Sequence, residues 1–372
     1  MFQQPLDPLA GVRVLDLSRY LPGPWLTRVL RDLGAEVIKV EPPGGDGLRY
    51  LPPHRDGMGT AFAALNAGKR SVVVDLKKAE GQALLLELVG EADVLVESFR
   101  PGKLASLGLD PEVLIEAHSR LIVCSVSGYG QHSLRAGHDL DYVARAGVLG
   151  LFGPKDRPPV VPGVQIADMS GALHAAIGIL GALMEREKTG RGRWLDVSLT
   201  RSAVPFAIMA LAGQVAGRGE GMLTGGAPGN RVYVTADGQH MAFAALEVPF
   251  FQAFCTRVER NDLAHFSPWD PVLGPSLEAL FAEKTRAEWV ALLEGLDVCC
   301  EPLVTTEAAL ADPEVAAVHD HRGGFRVLRS HVGGAPAPAA GPPPKLGEHS
   351  VEVARELAPN SVEAALAAGA LS

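Results

Sequence analysis

From Gly11 to Ser127 short β-branched runs alternate with longer stretches of helical spacing. Gly11–Ser18, Ala35–Glu41, Lys69–Lys77, Asp93–Ser98 and Leu121–Ser127 read as strands, and Pro24–Leu33, Ala79–Val89 and Pro111–His118 as helices. Pro24 suits a first helical turn, because the N–H it lacks is one that a helix start leaves unpaired. Strict alternation predicts an α/β fold with a doubly wound, mainly parallel sheet and helices on both faces. In such sheets ligands bind beyond the carboxyl ends of the strands, where Glu41, Lys77, Arg100 and the loop Ser127-Gly128-Tyr129-Gly130 fall. The cations there suit phosphates as a group, although singly each is an ordinary strand-end charge.

The opening βαβ unit is similar to a dinucleotide-binding unit, with Glu41 near the place of the ribose-binding acid. Its glycine fingerprint is missing, since only Gly23 stands where GxGxxG belongs, and this argues against NAD. The loop Pro42-Pro43-Gly44-Gly45-Asp46-Gly47 reads equally as a surface turn or as a lid over a ligand.

Farther along, Gly137-His138-Asp139-Leu140-Asp141 precedes one helix, and Asp168 stands at the head of another that runs from Met169 to Thr189-Gly190. Asp139 and Asp168 are both placed to cap a helix, a role worth about 1 kcal/mol, and His138 is placed as a turn residue. If the fold joins the two helix starts, one imidazole and one carboxylate face a common substrate. Such a pair can move a proton on and off a carbon centre.

At 372 residues the chain exceeds what one core usually absorbs, so two domains are expected. Residues 1–200 form the large domain. Residues 201–230 connect it, through an apolar helix Arg201–Val215 and a glycine-rich stretch Ala216–Asn230. Residues 231–325 form a smaller α+β domain. It opens with a hairpin, Val232–Thr235 and His240–Leu246, turned at Asp237-Gly238. Helices follow at Pro249–Arg257, Pro275–Glu283 and Arg286–Leu296, the last with Thr285 and Glu288 as a capping box, then a strand Val298–Val304 and a mostly helical Thr306–His319. The Ala/Pro tract Gly333–Pro344 should run extended, and Ser350 starts a final helix.

The formal charge of −9, with scattered Lys and Arg, repels nucleic acid. Cys124, Cys255, Cys299 and Cys300 form no CxxC pair, which fits a reduced, cytoplasmic protein. The N-terminus lacks the pattern of a signal peptide. The apolar run Ala172–Met184 contains His174, is too short to span a bilayer, and reads as a buried helix, so no membrane is expected. His319 and His321 have no further ligand set around them, so neither a metal nor another cofactor is expected.

Several ordered motifs resemble the family III CoA-transferase superfamily of the CaiB/BaiF type. They are Leu15-Asp16-Leu17-Ser18, Gly23-Pro24, the run Asp32–Pro42, Asn66-Ala67-Gly68-Lys69-Arg70-Ser71, the run Ala92–Gly102, Ser127–Gln131 and Lys188–Gly192. The resemblance covers nearly the whole chain, from Gly11 to His349. Gly137-His138-Asp139, Asp168, Gly225-Gly226-Ala227-Pro228 and Ala244–Glu247 before Phe250-Phe251 resemble the α-methylacyl-CoA racemase branch.

That branch implies His138 and Asp168 as proton carriers on a 2-methyl-branched acyl-CoA, with Glu247 supporting the imidazole. It implies coenzyme A as part of the substrate, with contacts at Arg70, Val74, Lys77, Arg100, Lys103 and Tyr129. It also implies an interlocked homodimer and a C-terminal segment, 326–372, that returns to the large domain. N–H groups after Asp168 would stabilise the enolate, and burial would have to outweigh the helix-start field that favours an ionised Asp168. The chain departs from the family at Pro42 and Ser106, where many relatives carry arginines associated with CoA phosphates, and at Gly229-Asn230, where aromatics are usual. The alternatives are CoA transfer between carboxylic acids through an acyl-aspartyl anhydride at Asp168, and a CoA-binding module without catalysis.

Overall fold

The five β-branched runs and a sixth strand pair into one fully parallel sheet. They are β1 (Arg13–Asp16), β2 (Glu36–Glu41), β3 (Arg70–Val73), β4 (Val94–Glu97), β5 (Ile122–Ser127) and β6 (Trp194–Ser198), in the order β3-β2-β1-β4-β5-β6. This is the strand order of dinucleotide-binding sheets, and its direction reverses beside β1, where a crevice opens between β1 and β4. The computed structural model describes residues 7–213, 217–330 and 340–372. The expected stretches at 1–6, at Ala216 and over most of the Ala/Pro tract lie outside them.

Contacts divide the chain into two units. The first comprises Met1–Tyr142, Gln165–Ala203 and Pro313–Ser372, and the second Val143–Val164 and Val204–Asp312. This corrects the expected division at two places, since 143–164 group with the second unit and the first regains the chain from Pro313 onward.

In the first unit the strands alternate two buried faces, as period 2 requires. Leu15, Ile38, Val72, Leu95 and Val123 meet the helices α3 (Ala79–Gly90) and α4 (Pro111–Ala117), together with the C-terminal α10 (Ser350–Leu357) and α11 (Val362–Ala367). On the other face α1 (Pro22–Asp32) packs beside the long α6 (Ile166–Thr189). β3 ends at Val73, short of the expected Lys77, because Val74 bridges to Leu371 and the Asp75 N–H donates to the Ala370 carbonyl.

A charged cluster is sealed beneath α1. Lys69 Nζ lies 2.9 Å from Asp16 Oδ2, 2.7 Å from Thr27 Oγ1 and 2.8 Å from Asn66 Oδ1. Burial lowers Lys69 to about 8 against the pull of Asp16. For Asp16 burial works upward, but Lys69 and Lys39 hold its carboxyl well below the usual range.

α6 corrects the expectation of a buried helix. It has 24 residues and ends, as its sequence suggests, at Gly190 in the left-handed conformation (φ 72°). By length and composition it could cross a membrane, and half of its apolar window is buried. Leu173, Ile177 and Met184 are 45%, 68% and 67% exposed along one stripe.

A hairpin absent from the sequence reading joins His319–Arg322 to Phe325–Leu328 through Gly323-Gly324, both at positive φ (54° and 80°). Positive φ at both turn positions is what a two-residue hairpin demands, and a Gly-Gly pair meets it. His319 is therefore a strand residue rather than the end of a helix. Among the described residues no group of three His, Cys, Asp or Glu is arranged to hold a metal ion.

In the second unit β7 (Arg231–Val234) and β8 (His240–Phe243) form the expected hairpin through Asp237-Gly238, and β9 (Cys300–Pro302) pairs with β8. Its core is aromatic: Tyr233 stacks on Phe281 at 4.6 Å, and Phe243, Phe254 and Trp289 pack around them. The capping box at Thr285 and Glu288 forms as read. The expected helix Arg201–Val215 is broken into Leu199–Ala203, a 3-10 turn Val204–Ala207 and Ile208–Leu211, because Pro205 cannot donate into a helix. The glycine-rich stretch is folded, with Arg231 donating to the Gly225 and Gly226 carbonyls at 2.8 and 2.7 Å.

Candidate active site

The carboxyl ends of β1 to β4 open into a cavity of about 930 Å³. Its walls come from the turns after each strand, among them Ser18, Arg19 and Tyr20, the loop Pro42–Gly47, and Val74 to Lys77. Phe99, Arg100, Lys103 and Leu107 close the far side. The Pro42–Gly47 loop, read either as turn or as lid, is thus a cavity wall.

Of the residues proposed for CoA, Val74, Lys77, Arg100 and Lys103 line this cavity. Arg70 lies outside it. It stands at the amino end of β3, held by Glu36 at 2.6 Å and by Glu352 and Glu356 at 2.8 Å each. A parallel strand sends its two ends to opposite edges of the sheet, so Lys77 falls on the cavity edge and Arg70 on the other. Tyr129 also lies outside the cavity walls.

Glu41 is not free for a ribose. Its carboxylate is engaged by Arg49 at 2.6 and 2.8 Å, by Ser71 Oγ at 2.7 Å and by the Asp46 N–H at 3.0 Å. Arg19 and Tyr20, which the sequence reading passed over, were detectable only as the turn after β1. Tyr20 is at φ 64°, a left-handed conformation unusual for a tyrosine. Beyond β4, the buried Glu97 accepts the Phe99 N–H at 2.7 Å and so shapes the Phe99-Arg100 turn, and burial pushes its carboxyl up to about 7.

The second constellation joins the starts of α5 (Asp139–Arg145) and α6. Asp139 Oδ1 accepts the backbone N–H of Asp168 at 3.0 Å. His138 directly precedes α5 and is exposed, and its N–H donates to Asp141 Oδ2 at 2.9 Å. The cap of α5 is therefore Asp141 reaching back, not Asp139. Asp168 is likewise not a cap, since α6 starts at Ile166 and Asp168 lies in its first turn.

Two glycines make room for this arrangement. Tyr142 Oη donates to the Gly137 carbonyl at 2.5 Å, and Tyr129 meets Tyr142 edge to face at 5.2 Å. A Cβ on Gly128 would lie 2.5 Å from the Tyr142 ring, and one on Gly137 would lie 2.7 Å from it. The glycines of Ser127-Gly128-Tyr129-Gly130 and of Gly137-His138-Asp139 thus serve close packing.

The Asp168 carboxyl is raised to about 6, first by burial, then by the neighbouring Asp139 charge, with His138 pulling the other way. A helix start favours the anion by about 1 kcal/mol at a partly open site, so burial and Asp139 prevail over the helix field. The enolate donors expected after Asp168 are otherwise engaged. Its own N–H goes to Asp139, and that of Met169 goes to the Gln165 carbonyl at 3.1 Å.

Glu247 belongs to the second unit, at the N-cap position of helix Val248–Arg257. Its side chain is exposed and makes no cap hydrogen bond. Nearby in that unit, Trp269 Nε1 donates to the Leu246 carbonyl at 2.9 Å.

The model of CoA-transferase family III matches residues 9–360. Alpha-methylacyl-CoA racemase of Homo sapiens is 36% identical over 374 positions, covering 94% of this chain and 93% of that one. Succinyl-CoA:glutarate CoA-transferase of Mus musculus is 33% identical over 383 positions, covering 95% of this chain and 87% of that one. Among solved structures, a CAIB/BAIF family protein from Brucella suis matches with a TM-score of 0.82 at 31% identity, over 95% of this chain and 100% of that one. Racemases and CoA-transferases thus lie at similar distances. What they share with the present chain, from before β1 to beyond α10, makes it a member of CoA-transferase family III.

Proposed function

We propose that the protein is an isomerase that inverts the α-carbon of 2-methyl-branched acyl-CoA thioesters by two-base proton transfer. The observation that carries this reading is the bond from the Asp168 N–H to Asp139, which brings the residue next to His138 onto the first turn of α6. Burial and the Asp139 charge raise the Asp168 carboxyl above the ordinary carboxylate range, as a group that must both give and take a proton requires. In one direction neutral His138 removes the α-proton and protonated Asp168 returns another; in the other direction the roles reverse. The pair carries one proton before and after each turnover and two while the enolate exists, so the enzyme emerges ready for the opposite turnover. We assign Glu247 the support of the imidazolium on the family pattern.

The test is incubation with a 2-methylacyl-CoA in deuterated water, followed by addition of a free carboxylic acid. The expected result is α-deuterium incorporation without the acid, lost or reduced to slow one-face exchange in His138→Ala. CoA transfer that depends on the acid and survives His138→Ala would overturn the reading in favour of the transferase chemistry, with Asp168 as nucleophile.

The cavity at the strand ends is proposed to take the nucleotide of CoA, with Lys77, Arg100 and Lys103 meeting its phosphates in place of the arginines absent at Pro42 and Ser106. Lys77→Ala is then expected to raise KM for the thioester about tenfold with kcat nearly kept, the signature of lost uniform binding. An unchanged KM would remove Lys77 from the phosphate grip.

A further inference from the structure

His138 stands just before α5 and Asp168 in the first turn of α6, and one side chain connects the two helix starts. Asp139 Oδ1 on the Asp168 N–H ties the first residue of α5 to the first turn of α6. His138 is the residue before Asp139, and its own N–H is held by Asp141. Whatever anchors Asp139 on α6 therefore also fixes how the imidazole stands toward the Asp168 carboxyl.

The ionisable groups that face Asp168 from the α5 side are His138, Asp139 and Tyr142, and Tyr142 in turn faces Asp141 and Tyr129. On α1, Arg28 is turned to Asp32 at 3.0 Å, and after β6, Arg201 is turned to Asp196 at 2.9 Å. On α6 itself the next is His174, with Nδ1 at 2.8 Å from the Ser170 carbonyl. On α5 the cation is Arg145, in the last turn, and Asp139 is the carboxylate bonded directly to the Asp168 backbone.

We propose that Asp139 is the positioning residue of this site: through the Asp168 N–H it latches the two helix starts together and sets its own negative charge next to Asp168. This rests on the two-base reading. A neighbouring negative charge raises the cost of ionising Asp168, so the carboxyl holds a proton more readily than an ordinary aspartic acid and can start a turnover as the acid. No bond other than C–H, N–H and O–H forms or breaks, and the proton taken by one base is matched by the proton delivered from the other.

Asp139→Asn keeps an oxygen for the Asp168 N–H and removes the charge, whereas Asp139→Ala removes both. In Asp139→Asn both limbs of the kcat/KM profile for α-exchange are expected to move to lower pH by about one unit, with KM nearly unchanged. Asp139→Ala should show the same displacement with a further fall in kcat of about tenfold or more, because the latch is lost as well. Wild-type exchange with an unmoved Asp139→Asn profile overturns the charge role, and equal kcat in the two variants overturns the latch. If the wild-type chain exchanges no α-proton, the two-base reading fails by itself. The inference is then read from carboxyl carbon-13 NMR of the full chain, with Asp168 assigned through Asp168→Asn. A titration displaced downward in Asp139→Asn supports it, and an undisplaced one refutes it.

Discussion

Asp168→Asn is expected to lower α-proton exchange and racemisation of a 2-methylacyl-CoA by about three orders of magnitude, with thioester binding retained. The amide occupies the same half-buried place but can neither take nor give the proton. Removing one of two bases leaves the other, so His138 should still exchange the proton on its own face of the substrate while inversion stops. The pH dependence follows from the direction of the shift. Asp168 is held above the ordinary aspartate value, at about 6, so its protonated form persists into the weakly acidic range and is lost as pH rises through that value. The variant should lack this limb. Racemisation within tenfold of wild type in Asp168→Asn, followed by chiral analysis of the hydrolysed acid, would exclude Asp168 as a proton carrier.

The largest stability effect is expected at Lys69→Met, which should destabilise the first unit by about 3–5 kcal/mol. Lys69 Nζ reaches Asp16 Oδ2, Thr27 Oγ1, Asn66 Oδ1 and, at 3.0 Å, the Pro24 carbonyl. Methionine fills much of the same volume, so the loss is electrostatic rather than a cavity. Asp16 would be left buried with Lys39 as its remaining cationic neighbour, and Lys39 is already 3.1 Å from Asp46. Removing both charges, in Asp16→Asn with Lys69→Met, should recover part of the loss, since a missing pair costs less than an orphaned charge. Thermal unfolding followed by circular dichroism reads both. A single variant within about 1 kcal/mol of wild type would mean that water or Lys39 compensates Asp16, and the cluster would then count for little.

Much of the architecture was legible because parallel strands buried on both faces write themselves as continuous apolar runs between helices. The strands from Arg13 to Ser127 and the hairpin at Asp237-Gly238 could be located on that basis. The His319–Leu328 hairpin could not. Charged residues mask its alternation, and its one signal, Gly323-Gly324, adjoins a stretch that reads as helix. The break in Arg201–Val215 was announced by Pro205 alone.

For the site, the residues that matter were visible as types, and their roles were not. Lys77 and Arg70 look alike at the two ends of one run, yet only the direction of β3 in the sheet decides that one lines the cavity and the other meets three glutamates. Asp139 and Asp168 both read as helix caps, and neither is one. Local sequence determines which helix starts exist, because caps, prolines and glycines act within a turn or two. Which starts meet is a long-range matter. The bond from the Asp168 N–H to Asp139 spans 29 residues, and it depends on packing that no local pattern encodes. His138, Asp139 and Asp168 were thus determined as candidates by the chain itself, whereas the raised carboxyl of Asp168 arises from burial and a neighbouring charge, which only the tertiary structure supplies.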